Sequence, residues 1–151
     1  MNVSLFPLPV QEVLSGFGWV VSRFQALRQD ESAEVCDLGE DSGIVESFFA
    51  RIEAGDVAKL AVSGGALLGD DGFGMVCSYL TVSQVREVSE LLSYLDLRQV
   101  MGAAPEVLEG VIRGRIPEGY LDDLKSTLID LWKIYETASR GDMCIVQIYE
   151  G

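Results

Sequence analysis

The apolar residues of this chain recur at helical spacing in several stretches and alternate or run together in a few others. Between Pro9 and Arg28 the positions Val10, Val13, Leu14, Phe17, Val20, Val21, Phe24 and Leu27 fall three and four apart, which predicts a helix with one apolar face. Gly16 and Gly18 each weaken its middle by about 1 kcal/mol, so a break is expected there. Ile44, Val45, Phe48, Phe49 and Ile52 predict a second helix from Gly43 to about Ala54, capped by Ser42 and ended by Gly55, with Glu46 suiting the positive end of its dipole. Thr81-x-x-Gln84 is a capping box, followed by the stripe Val85, Val88, Leu91, Leu92 and Leu95 opposite Arg86, Glu87 and Glu90. The longest helix is expected from about Glu118 to Arg140, through Tyr120, Leu121, Leu124, Leu128, Leu131, Trp132, Tyr135 and Ala138, with Gly141 past its end. Before it, Asp96–Met101 reads as a short turn and Pro105–Arg113 as a short helix, separated by Gly102 and Pro105.

Strand signals are fewer. Met143–Glu150 is the best of them, and its nearly apolar run through Val146 predicts a central strand. Val3–Leu8 reads as a strand, with Pro7 and Pro9 arguing for a sheet edge or an early end. Val76–Leu80 reads as extended chain, Val57–Val62 as a helical turn or a short strand, and Gln29–Ser42 as a polar loop touching the core through Val35, Cys36 and Leu38. Helices and strands do not alternate as a βαβ array, so the fold class is α+β. We expect a single compact domain over residues 1–151, with a small, mostly antiparallel sheet packed by several amphipathic helices. Trp19, Phe48, Phe49, Trp132 and Tyr135 sit on helix stripes and read as core.

Ser63–Thr81 carries five of the sixteen glycines and has the look of a ligand loop. It fails both nucleotide templates. Cys77 stands where a third glycine would complete Gly72-x-Gly74, and Gly69 is followed by Asp70 and Asp71 instead of the lysine of a phosphate loop. Tight turns with positive-φ glycines explain the stretch more simply. Phe73 and Tyr79 flank the glycines outside any apolar stripe and are the candidates for lining a pocket.

Composition narrows the chemistry. The chain has no histidine, which removes Ser-His-Asp and Cys-His catalysis and most zinc sites. Cys36, Cys77 and Cys144 form no CxxC pair and read as free thiols of a reducing compartment, with Cys77 and Cys144 in apolar-rich segments. No apolar run approaches the length of a membrane span, and the N-terminus lacks a secretion signal, so a cytoplasmic protein is expected. The net charge is −13, and it is uneven. Asp30–Asp71 holds eleven acids against Arg51 and Lys59, a local charge of −9. That field repels nucleic acid and anionic lipid and attracts basic partners. Neither Asp37, Glu40 and Asp41 nor Asp70 with Asp71 has the spacing of a calcium loop, so no metal or other cofactor is expected.

Several motifs carry a family resemblance. Gly64-Gly65, Gly72-Phe73-Gly74 and Tyr79-Leu80-Thr81 lead into a Val- and Leu-rich helix. Ile116-Pro117 then precedes a long helix with Leu131, Tyr135 and Ala138, followed by Arg140-Gly141-Asp142 and a terminal apolar strand. The region from about residue 58 to 149 thereby resembles the YfbM-like family of bacterial proteins, a domain of unknown function. Met75 stands where the family's turn has a proline, an extra residue precedes Tyr79, and Gly39-Glu40-Asp41 replaces an aromatic and basic pair. The resemblance implies a compact α+β domain and no particular activity.

The functional expectation follows from charge and from what is missing. It is a non-catalytic acidic binding protein, an immunity protein or antitoxin that neutralises a basic toxin such as a nuclease effector, either as a monomer or as a homodimer. Its docking residues would be Asp30, Glu31, Glu34, Asp37, Glu40, Asp41, Asp70 and Asp71. The competing expectation is a small-ligand-binding or enzymatic domain using the Gly64–Tyr79 loop.

Overall fold

The C-terminal apolar run forms the middle of the sheet. In the computed structural model, which describes residues 2–31, 34–52, 56–110 and 112–151 (backbone only at 51, 52 and 56), β5 (Cys144–Glu150) lies between β1 (Asn2–Leu8) and β4 (Met75–Leu80). β2 (Cys36–Gly39) extends the sheet beyond β1, and β3 (Ala66–Asp70) extends it beyond β4. The order is β2-β1-β5-β4-β3 and every pairing is antiparallel. With α1 (Val10–Leu14), α2 (Phe17–Gln29), α3 (Ser42–Ile52), α4 (Asp56–Leu60), α5 (Val82–Tyr94), α6 (Leu97–Glu109) and α7 (Tyr120–Arg140), this is an α+β fold.

Register decides what each face carries, because side chains alternate along a strand. One face presents the rows Val3–Tyr149–Val76, Leu5–Gln147–Ser78 and Pro7–Ile145–Leu80. α7 packs on this side, against β1, β2 and β5, and also against α5. Phe49 of α3 stacks on Trp132 of α7 at 5.8 Å, and the Trp132 indole donates to the Leu92 carbonyl of α5 at 2.9 Å, which joins three helices. The other face carries Ser4, Phe6 and Leu8 with Cys144, Val146 and Ile148. α2 crosses it, stacking Phe24 on Phe6 at 5.7 Å. A Cβ on Gly69 would lie 3.0 Å from the Phe17 side chain, so β3 approaches the start of α2 closely enough that a larger residue would push Phe17 aside by a few tenths of an ångström.

Several expectations change. The break in the first helix falls at Gly16, whose φ of +100° ends α1 and restarts the chain as α2. That turn takes Trp19 out of the core, leaving it 50% exposed, while Phe48, Phe49 and Tyr135 are buried and Trp132 half-buried. β1 is interior, not an edge strand. Its partner β2 reaches only as far as Leu5, so Pro7 lies where one side of β1 has no neighbour and a missing N–H costs little. The polar loop over Gln29–Ser42 contains β2, in which Cys36 and Leu38 point inward and Asp37 points out. The cap of α3 falls one residue earlier than Ser42, since the Asp41 carbonyl accepts the N–H groups of Ile44 and Val45. The stretch from Asp96 is one helix, not two, and Pro105 sits inside it. Val100, Ala104 and Leu108 bury a continuous stripe that outweighs the lost hydrogen bond, and Pro105 itself faces solvent. The expected end of α3 at Ala54 and Gly55 lies outside the described residues, as does Val111.

The capping box on α5 forms as expected, with Gln84 N–H donating to Thr81 Oγ1 at 3.2 Å and Thr81 N–H donating to Gln84 Oε1 at 3.0 Å. All three cysteines are free and buried. Burial pushes the thiols of Cys36 and Cys77 up to about 12 from 9.0, and that of Cys144 upward as well. Between pH 9 and 12 the folded chain therefore holds thiol protons that the unfolded chain has released, so the unfolded state gains on the folded one as pH rises. Thermal unfolding followed by circular dichroism should show a constant midpoint from about pH 7 to 8.5 and a steady fall above about pH 9. The Cys36→Ala/Cys77→Ala variant should flatten that fall.

Candidate functional site

The strand directions bring Asn2, Gly39, Asp70, Met75 and Glu150 to one end of the sheet. At that end, on the face carrying the Val3–Tyr149–Val76 row, lies a cleft of about 590 Å³. That row forms its floor. Its walls are the turn into α3, with Glu40, Ser42, Gly43 and Glu46, and the chain leaving α4, with Val62 and Ser63. The lining is mainly apolar with a few converging polar groups, the usual composition of a binding cleft. Ser63 Oγ donates to Glu46 Oε2 at 3.3 Å across the wall. Burial raises the pKa of the Tyr149 phenol, hydrogen bonds from Ser78 and the Gly64 backbone oppose the rise, and the Glu46 carboxylate adds to it. The phenol is therefore neutral and lies within electrostatic reach of Glu46.

Below the floor is a buried polar network centred on Gln147, which is fully buried. Its Nε2 donates to the Leu60 carbonyl at 3.0 Å. Its Oε1 lies 3.1 Å from Gly65 N, 2.8 Å from Ser78 Oγ and 3.0 Å from the Tyr149 hydroxyl. The Tyr135 hydroxyl reaches the carbonyls of Leu60 and Ala61 at 3.2 and 2.9 Å. The amide orientation is determined by its neighbours, since Gly65 N–H can only donate and Leu60 C=O can only accept. Gly65 lets the chain close on this network. A Cβ there would fall 2.5 Å from the Tyr79 carbonyl oxygen and 2.9 Å from Gln147 Oε1.

The eight candidate acids are all exposed, but they do not form one patch. Glu40 lines the cleft just after β2, and Asp41 follows it in the chain. Asp70 and Asp71 stand at the same end beside β3, across five strands and so roughly 19 Å away. Both close their own turn: Asp70 accepts from Gly72 N–H at 2.9 Å, and Asp71 from Phe73 and Met75 N–H at 2.8 and 3.0 Å. Those bonds lower the Asp71 pKa. Asp37 likewise accepts from Gly39 N–H at 2.8 Å, out on β2. Asp30 and Glu31 follow the end of α2, where Arg28 binds Glu150 at 2.6 Å. Glu34 lies away from the cleft, lining a separate 230 Å³ cavity with Asp130 and Lys133. Phe73 and Tyr79 are not brought together. Phe73 is 93% exposed at the β3–β4 turn, whereas Tyr79 is half-buried at the far end of β4 opposite Ala66 and Val146. Among the described residues, no group of three or more acidic or thiol side chains is gathered as metal donors.

Sequence reasoning missed Ser63, Tyr149 and the cleft role of Glu46. The available signal was the pair Gln147 and Tyr149, polar groups two apart on one face of an otherwise apolar strand. The fold is similar to the crystal structure of a protein of unknown function, YfbM from Escherichia coli, with a TM-score of 0.62 over 99% of both chains at 13% sequence identity. At that identity the likeness is one of fold. No family model and no curated protein matches the sequence.

Gln147→Leu would strand Gly65 N–H and remove a partner from Leu60 C=O, Ser78 and Tyr149. Urea unfolding should show a loss of about 3 kcal/mol with an unchanged slope, and Gly65→Ala a loss of about 2 kcal/mol or more. A loss within about 0.5 kcal/mol for Gln147→Leu would contradict the network's structural role.

Proposed function

We propose that this chain is a YfbM-like binding protein, not a catalyst, which docks a basic protein through the acidic end of its sheet. It would act as an immunity protein or antitoxin does when it neutralises a basic toxin such as a nuclease. The observation that carries this reading is the cleft mouth itself. Glu40 and Glu46 line an apolar floor, and among the described residues none that lines the cleft is basic. The net charge of −13 supports it by steering a cationic partner toward this surface. The loop reading draws less support, because Asp70 and Asp71 are engaged by their own turn.

Capture of the tagged protein's partners from its native cells, with identification by mass spectrometry, tests this directly. The expected partner is a protein of strongly basic pI whose complex weakens steeply between about 50 and 500 mM salt. Asp37→Lys/Glu40→Lys/Asp41→Lys should reduce affinity by about tenfold or more, mainly through slower association. A partner that is not basic, or a complex indifferent to both salt and the triple substitution, would rule the reading out.

A further inference from the structure

Resting on that docking reading, we infer that the 590 Å³ cleft is an anchor pocket for one lysine or arginine side chain of the partner, its stem on Val3 and Val76 and its cationic head between Glu46, Glu40 and the Tyr149 ring. Long basic side chains carry an apolar stem and a charged tip, and the cleft presents those two characters in that arrangement. The floor is two valines flanking a tyrosine in register across β1, β5 and β4. The wall supplies the Glu46 carboxylate, steadied at Oε2 by Ser63. The phenol, raised in pKa by burial and by Glu46, remains neutral; its hydroxyl is held by Gln147, Ser78 and the Gly64 backbone, so what it offers a cation is its ring.

The same chemistry excludes other occupants. Two glutamates in the lining repel a phosphate or carboxylate ligand. A hard divalent cation wants six or more oxygens, and the mainly apolar lining does not supply them. A half-enclosed charge pair is less screened than the exposed pairs that Asp37 and Asp41 can form, so one anchored residue contributes more than several at the rim.

The experiment uses the full-length protein, labelled with ¹⁵N, and titrates N-acetyl-lysine methylamide and N-acetyl-arginine methylamide beside the uncharged N-acetyl-norleucine methylamide. A cationic probe should bind with Kd of about 1–10 mM and shift amides around Val3, Gly43, Glu46, Ser63 and Tyr149, while norleucine does not bind. Glu46→Gln should weaken the probe by about tenfold, and Gly43→Trp should abolish binding by filling the mouth. Gly43 lines the cleft, and a Cβ there meets nothing within 4 Å, so the added side chain starts from open space. Failure of both cationic probes to bind, equal binding of norleucine, shifts elsewhere, or indifference to Glu46→Gln in a variant with an unchanged unfolding midpoint would each overturn the pocket. Partner capture separates this failure from that of the docking reading. If Gly43→Trp still captures the basic partner at full affinity while the rim triple substitution does not, the pocket is wrong and the docking surface stands.

Discussion

The helical layer and the sheet are joined by one carboxamide. Gln147 sits in the central strand, where burying an unpaired amide would cost several kcal/mol, and its neighbours satisfy both ends of the group. The partners come from four places: the end of α4, the turn before β3, the middle of β4 and the next inward residue of β5. Hydrophobic contact alone tolerates sliding by part of a residue, whereas these bonds do not, so they set the position of the α4–β3 connection on the sheet. That connection carries Val62 and Ser63, one wall of the cleft. The geometry of the candidate site is thus a consequence of how a buried polar residue is satisfied.

Elements that announce themselves locally were legible in the sequence. The Thr81–Gln84 box, the long stripe through Tyr135 and the apolar run of Cys144–Glu150 each contain their own signal, and each forms as expected. What was hidden depended on distant partners. β2 is four residues long and half polar, and only its pairing with β1 makes it a strand. β3 reads as a glycine-rich turn because Gly65 and Gly69 are there to admit Tyr79 and Phe17, close approaches invisible from composition. Pro105 looks like a helix stop until the buried positions at 100, 104 and 108 are seen to run across it. The proline at position 7 looks like an edge marker because nothing in the sequence says how far β2 reaches.

The candidate site shows the same division. The quantity of charge was plain, but its distribution was not, since the chain places Glu40–Asp41 and Asp70–Asp71 on opposite edges of the sheet. Asp70 and Asp71 prove to be turn-closing residues, carboxylates spent on backbone N–H groups that the hairpin would otherwise leave to solvent. Glu46 and Tyr149 could not be associated from sequence, lying on α3 and β5 and coming together only as wall and floor of one cleft. Their common reporter was the polar pair at 147 and 149, which an apolar central strand has no packing reason to carry.

The likeness to YfbM at 13% identity shows how little shared sequence the fold requires. It also separates two kinds of constraint in this chain. Gly65, Gln147, Ser78 and Tyr135 answer to one another, so changing any of them strands a buried group and destabilises the fold whatever the protein binds. Glu40, Asp41 and Glu46 stand outside that network: the Asp41 carbonyl caps α3, and the Glu46 carboxylate accepts from Ser63 and acts on Tyr149. Like charges gathered without compensating bonds raise the energy of the folded state, and selection for stability alone would disperse them. Glu40 and Glu46 meet at a cleft one wall of which the Gln147 network positions, and the docking reading proposed above accounts for that pairing by a cationic partner.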